Sequence, residues 1–567
     1  MIPTSRRPSI AYFSMEIGIL PGIPTYSGGL GVLAGDTIRA AADLKLPVVA
    51  VTLLSRRGYF RQEIDPQGNQ TEHPDSWDPA GLLEPEPQRV TVTIGGRPVA
   101  IKAWRYDHQS PVGGKVPIWF LDTDLPENDP ADREITHYLY GGDDAYRLSA
   151  EVVLGIGGFR MLEALDIPAR KYHLNEGHAA LLAVELLQRT KHTVEEVWDE
   201  EKIWDPEAVR GRVIFTTHTP VAAGHDQFDY DLVSRVVGEV IPGPVLRSFA
   251  GYDRMNNTLL AMNLAGYING VARSHSEVSR EMFQGYEIAA VTNGVHSATW
   301  THPAFKALYD RFIPGWREDP ALLGWVDKIP ASELWEAHRE AKAAFFSLVR
   351  ERTGVSLDPD ILTIGFARRA TGYKRLDLLL SDPERLRSIA AGKLQLVFAG
   401  KAHPKDGEGK ALIRRTVERL AGLADSVRGV FLADYRMELA MSLIPGVDVW
   451  LNTPSPPLEA SGTSGMKAAH NGVPNLSVLD GWWVEGHIEG ITGWSIGPEP
   501  GAALSWEERN RADADDLYRK LEREVIPLWY YDRAGWIRLM RGAIGKNASY
   551  FNAQRMMSRY VTEAYLP

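Results

Sequence analysis

Ile361-Leu362-Thr363-Ile364-Gly365-Phe366-Ala367-Arg368-Arg369-Ala370-Thr371-Gly372-Tyr373-Lys374-Arg375 joins a short apolar run to a loop crowded with cations. An apolar run of this length, without strict alternation, reads as a strand buried on both faces, the kind found in parallel sheets. Loops at the C-terminal ends of such strands collect ligands. Outward from this stretch, similar runs recur at 394–399, 429–432 and 448–451, with helical patterns at 376–391 and 409–424 between them. This alternation predicts an α/β, doubly wound unit.

The N-terminal half repeats the theme. Runs at Ile10 to Phe13, Val48 to Leu54, Ile118 to Asp122, Val213 to Thr217 and Ile288 to Thr292 are separated by helix-like stretches. Val90 to Trp104 alternates strictly about Gly95-Gly96 and predicts a β-hairpin added to that sheet. A Trp-, Pro- and Gly-rich stretch from Thr301 to Pro330 then leads into a charged helix at Ala331 to Arg352, which places a boundary near residue 300. The expected domains are 1–300, 301–540, and a C-terminal segment 541–567 crossing back onto the first. Two such domains would face each other across a cleft lined by their strand-end loops. The glutamate-rich run Glu195 to Glu201 reads as a solvated amphipathic helix.

Composition narrows the function. The 567 residues carry a net charge of -11, which argues against a nucleic-acid binder and makes the basic loop at 368–375 a local concentration. The absence of cysteine excludes disulfides, thiolate metal sites and a cysteine nucleophile, and fits a reducing cytoplasm. Ser5-Arg6-Arg7 superficially suggests an export signal, but Glu16 interrupts the apolar stretch behind it. No apolar run reaches the roughly 18 residues of a membrane span.

The loops carry the chemistry. Glu459-Ala460-Ser461-Gly462-Thr463-Ser464-Gly465-Met466-Lys467 places a lysine just past small and hydroxyl residues, the setting for a Schiff base to a phosphate-bearing cofactor. Adjacent Arg368 and Arg369, with Lys374 close behind, repel one another unless an anion sits among them. Gly28-Gly29-Leu30-Gly31 allows close backbone approach to an anion, yet Leu53-Leu54 stand where a dinucleotide fold would place its acidic ribose partner. Gly409-Lys410 is no P-loop, since Pro404 and Ala411 occupy the required glycine and hydroxyl positions. His173, His178, His218, His225 and Glu176 fit no standard metal spacing, so no metal is expected. The mixture of amide, carboxylate and imidazole in Asn175 to His178 and Thr217 to Thr219 suits a sugar.

These residues resemble the α-glucan phosphorylases, the glycogen, starch and maltodextrin phosphorylase family. The resemblance runs in order through SGGLG at 27–31, HLNEGHAAL at 173–181, THT at 217–219, VARSHSE at 271–277, VTNGV at 291–295, YKR at 373–375, AGKAHP at 399–404 and EASGTSGMK at 459–467. It implies a GT-B architecture and reversible transfer of a terminal α-1,4-linked glucose to orthophosphate, giving α-glucose 1-phosphate with retention. Pyridoxal 5′-phosphate is the implied cofactor, on Lys467, its phosphate held by Arg368, Thr463 and Ser464. The resemblance further gives Arg369, Lys374 and the Gly29 N–H to the substrate phosphate. His218, Asn293, Tyr373, Glu459, Ser461 and Gly462 go to the sugar. A homodimer is left open.

Departures accompany the match. Arg368 stands where the best-known members have lysine, Ser464-Gly465 replaces Gly-Asn, and Ala370-Thr371-Gly372 replaces Ile-His-Glu. The chain is also shorter than the regulated enzymes and is expected to lack their N-terminal control segment. A nucleotide-sugar-dependent GT-B glucosyltransferase, or a non-catalytic glucan-binding relative, remains the alternative.

Overall fold

A computed structural model describes residues 10–192 and 203–567. The Ser5-Arg6-Arg7 motif and the run Glu195 to Glu201 lie outside the described residues. The chain divides into two compact units, one of residues 1–60, 74–291 and 556–567, the other of 61–73 and 292–555.

The first unit is built on a nine-stranded sheet. Its strands are β1 (Ile10–Ser14), β2 (Val48–Leu53), β3 (Glu84–Ile94), β4 (Arg97–Gln109), β5 (Lys115–Asp122), β6 (Lys171–Asn175), β7 (Val213–Thr216), β8 (Tyr267–Gly270) and β9 (Ala289–Ala290). They lie in the order β9-β8-β7-β6-β1-β2-β5-β4-β3. Pairing is parallel from β9 to β5 and antiparallel from there to β3. β3 and β4 form the expected hairpin, and Gly95 and Gly96, at φ of 59° and 75°, supply the positive angles of its two-residue turn. Every side chain of β1 and β2 is buried, as a central strand covered on both faces requires. Helix α1 (Gly29–Asp43) follows β1 and buries Ala34, Ala40, Ala41 and Ala42.

The second unit carries a six-stranded, all-parallel sheet: β10 (Leu362–Ala367), β11 (Leu394–Ala399), β12 (Arg428–Leu432), β13 (Val449–Asn452), β14 (Asn475–Val478) and β15 (Gly493–Ile496). The order β12-β11-β10-β13-β14-β15 reverses between β10 and β13, as in a dinucleotide-binding sheet. Its core includes Phe366, Leu396, Leu451, Leu476 and Trp494. The charged helix is α2 (Ala331–Thr353), closed by Gly354 in the left-handed conformation.

Two boundaries differ from expectation. The segment 1–300 is interrupted, because a hairpin at Arg61–His73 packs in the second unit. There the Gln62 amide donates to the Gly400 carbonyl and the Gln70 amide to that of Ala402, at 2.8 and 2.9 Å. The return to the first unit begins at Met556 rather than near 541. It is fixed by Tyr565, whose hydroxyl lies 2.7 Å from His173 Nδ1, and by Tyr560, whose hydroxyl accepts from Asn269 Nδ2 at 3.1 Å.

Candidate functional site

In the second unit the order reversal puts the loop after β10 beside the loop after β13. Arg368 and Lys374 leave the first loop and meet on one carboxylate of the second. Arg368 Nη2 donates to Glu459 Oε2, and Lys374 Nζ lies 2.7 and 3.0 Å from the two carboxylate oxygens. Burial alone would raise Glu459, but the cations outweigh it and hold the carboxyl down at about 2. The anion that the basic loop demanded is thus supplied by the chain itself. Arg369 is exposed, and the pair that shares Glu459 is Arg368 with Lys374.

Arg368 keeps donors in reserve. Its Nε and Nη1 are buried without a hydrogen-bond partner, an arrangement that favours a further anion. Below Glu459, the Asp480 carboxylate accepts from the Glu459 and Gly481 N–H groups, each at 2.9 Å, and burial pushes Asp480 up to about 7. Tyr373 flanks the cluster, with Lys374 Nζ 4.6 Å from its ring centroid.

The segment from 461 to 467 is shaped by close packing. Ser461 Oγ is buried and unpartnered. Gly462 sits at φ +83°, which a side chain would strain. Gly465 leaves no room for a Cβ, which would fall 2.3 Å from Asn475 Oδ1. Ser464 Oγ accepts from Trp450 Nε1 at 3.0 Å, so this hydroxyl is already engaged in holding the segment to β13. Thr463 precedes the short helix α3 (Ser464–Ala469) that carries Lys467. The lysine is buried, its Nζ 4.0 Å from the centroid of the Trp300 ring. Asn471 ties these together, donating to the carbonyls of Lys467 and Trp300 at 2.9 and 2.8 Å. Asn293, also in this unit, is buried with its Oδ1 unpartnered while its carbonyl accepts from Arg555 at 2.9 Å.

The first unit brings together Gly29 and His218 with residues the sequence did not single out. Its parallel strands reverse order about β1, so the loops after β1 and β6 adjoin. Glu16, past β1, accepts from the N–H groups of Ser27 and Gly28 at 2.5 and 3.3 Å. It fixes the glycine loop, and Gly31 leaves little room for a side chain, since a Cβ there would lie 2.7 Å from Tyr26 Cβ and 2.6 Å from Glu16 Oε2. Gly29 opens α1, and the space beside its Cα is open. Glu176 has a left-handed backbone at φ 75°, a strain that clusters at functional sites. Its carboxyl accepts from the His218 N–H at 3.0 Å and the Thr219 hydroxyl at 2.6 Å, and burial pushes it up to about 7. His218 Nε2 lies 2.7 Å from Asn175 Oδ1. Burial, with nearby His275 adding to it, pushes the imidazole down to about 3, so the ring is neutral.

Comparison with known proteins settles what this arrangement belongs to. A family profile described as carbohydrate phosphorylase matches residues 249–490. The maltodextrin phosphorylase of Thermococcus litoralis is 41% identical, over 98% of this chain and 70% of its own length. This chain belongs to the carbohydrate phosphorylase family. The glycogen phosphorylase of Mycobacterium tuberculosis is 38% identical over 98% of the chain and 71% of its own length. That of Aquifex aeolicus is 35% identical, covering 99% and 86% respectively.

Trp300, Asp480 and Glu16 escaped the sequence reading as site residues. Trp300 fell at the supposed domain boundary, and nothing local to it points at Lys467. Asn175 was visible within its motif, but its role depends on Ser14 and His218, far away in sequence.

Proposed function

We propose that this family member transfers the terminal α-1,4-linked glucose of a glucan to orthophosphate, reversibly and with retention, as one Rossmann-like half and another make up a GT-B enzyme. The relatives' identity as glycogen and maltodextrin phosphorylases supports the reaction. The observation that carries the cofactor assignment is the buried Lys467 amine over an aromatic ring, in the same unit as a buried guanidinium with unused donors. These residues fit pyridoxal 5′-phosphate: Lys467 would bind its aldehyde, and Arg368 and Thr463 its phosphate, with Ser464 holding the segment in place. When bound, the cofactor supplies a phosphate group able to exchange a proton with the substrate phosphate.

The chain's own residues do the rest. Arg369, Lys374 and the Gly29 N–H hold the substrate phosphate, whose negative charge stabilises the oxocarbenium-like transition state. His218 and Asn293 orient the sugar at its 6-hydroxyl, Tyr373 at the 2-hydroxyl, and Glu459, Ser461 and Gly462 at the 3- and 4-hydroxyls. Glu459, held ionised by Arg368 and Lys374, is acceptor-only and so suited to sugar hydroxyls. The absence of cysteine accords with a cytoplasmic enzyme.

The test is direct. Maltodextrin and phosphate should yield α-glucose 1-phosphate without added metal or nucleotide, and borohydride reduction followed by peptide mapping should place the cofactor adduct on Lys467. Full activity in protein stripped of cofactor, or a requirement for a nucleotide sugar, would overturn the proposal.

A further inference from the structure

Ser14 and Asn175 stand opposite each other at the C-terminal ends of the parallel pair β1 and β6. Both are buried. The Ser14 hydroxyl lies 2.7 Å from the backbone carbonyl of Glu16. A carbonyl only accepts, so Ser14 donates there and keeps only lone pairs for its other neighbour. That neighbour is the Asn175 side chain at 3.0 Å, which must present its NH2. The amide oxygen of Asn175 is thereby turned the other way, onto His218 Nε2 at 2.7 Å. An amide oxygen cannot donate, so Nε2 carries the imidazole proton. Because the ring is neutral, Nδ1 is left with a lone pair. Among the described residues, the ring's hydrogen bond is made through Nε2.

We propose that Asn175 is a positioning residue that fixes His218 in its Nε2–H tautomer and thereby makes Nδ1 the acceptor of a sugar hydroxyl hydrogen. This rests on the reading of His218 as a sugar-binding residue. The polarity of the relay is anchored at a backbone carbonyl, the one member whose role cannot reverse. A swapped Asn175 amide would set two lone pairs against each other at Ser14 and two N–H groups against each other at His218. A site so polarised selects for a hydroxyl at the position facing Nδ1, and a sugar lacking it leaves a half-buried nitrogen unpaired.

The experiment has two arms on the full-length holoprotein. In the first, nitrogen-15 histidine labelling reads the tautomer, with His218→Gln identifying the resonance. The wild type should show protonated Nε2 and bare Nδ1, and Asn175→Leu or Ser14→Ala should shift the resonance toward a mixture. In the second, glucan elongation is compared for glucose 1-phosphate and its 6-deoxy analogue. Asn175→Leu should cut the preference for the hydroxylated sugar by about tenfold, the worth of one hydrogen bond, through kcat/KM for glucose 1-phosphate. Turnover of the 6-deoxy analogue should change little. An Nδ1–H tautomer in the wild type, or equal slowing of both sugars in the variant, overturns the proposal. If the wild type turned over neither sugar, the enzymatic reading would fall while the nitrogen shifts still decided the relay.

Discussion

Glu459 takes both the Arg368 and Lys374 charges onto one carboxylate, while Arg369, adjacent in sequence, is exposed. The three cations therefore have different dependencies. Arg369→Ala should leave the thermal midpoint close to that of the wild type, since exposed substitutions rarely cost more than about 0.5 kcal/mol. If Arg369 holds the substrate phosphate, the same change should lower kcat/KM for phosphate by on the order of 2 to 4 kcal/mol. Arg368→Ala strips a nearly buried carboxylate of one of its two partners and should destabilise the fold by about 3 kcal/mol; if Arg368 holds the cofactor phosphate, it should also weaken cofactor retention. Arg368→Lys keeps the charge and should be milder than Arg368→Ala in both respects. Calorimetry beside phosphate saturation curves separates these effects. A drop in stability for Arg369→Ala as large as that for Arg368→Ala would contradict the division drawn from burial.

At the scale of elements, α2 is clamped to its sheet by a buried cluster rather than by apolar packing alone. Asp448, just before β13, accepts from His338 Nε2 at 2.7 Å and Lys342 Nζ at 2.6 Å, both on α2, and from the Thr363 N–H of β10 at 2.7 Å. Burial raises Asp448, but Lys342 and His338 outweigh it and keep the carboxyl below its ordinary value. A carboxyl lowered in the folded state stabilises above its unfolded pKa and loses that contribution as pH falls through its folded value. Asp448→Asn should cost about 3 to 5 kcal/mol at pH 7, because the Lys342 charge stays buried and uncompensated. The gap from wild type should narrow in strongly acid solution, and urea unfolding at both pH values measures it. A gap of the same size at both would remove Asp448 from this role.

Such elements also show where sequence was and was not a sufficient guide. β10, β11 and β13 were legible because strands buried on both faces are unbroken apolar runs. β6, Lys-Tyr-His-Leu-Asn, was hidden because its His173 and Asn175 are buried through hydrogen bonds rather than apolar character. β8 and β15 are four residues each, broken by glycine or polar side chains, and find their place only by pairing with neighbours. The hairpin Arg61–His73 was invisible as part of the second unit, since its amide contacts link residues more than 300 positions apart. In the site, the lysine segment and basic loop were legible from local composition. Trp300, Asp480 and the Ser14–Asn175 relay were not, because each acts through a distant partner.

On the scale of the whole molecule, Glu151, Glu176, Asp480 and Asp513 are all pushed up by burial and give stability a pH dependence opposite to that of Asp448 and Glu459. Glu176 in the first unit and Asp480 in the second are each pushed up to about 7 by burial. A group whose folded pKa is raised binds more protons when folded, so its stabilisation is fully present below the unfolded pKa and is lost as pH rises through the folded value. The window for both runs from about 4 to about 7, and a shift of this size is worth about 4 kcal/mol per group. Glu459, held at about 2, and Asp448 act below that window, losing their stabilisation as acid protonates them. Stability should therefore peak near pH 4 and decline toward pH 7. Glu176→Gln and Asp480→Asn should each flatten part of the decline, and because the two residues lie in different units their effects should add. Thermal midpoints of the wild type, both single variants and the double variant, followed from pH 4.5 to 8, measure this. A wild-type curve that rises steadily to pH 8, or a double variant as steep as the parent, would show that these carboxyls are ionised in the folded protein.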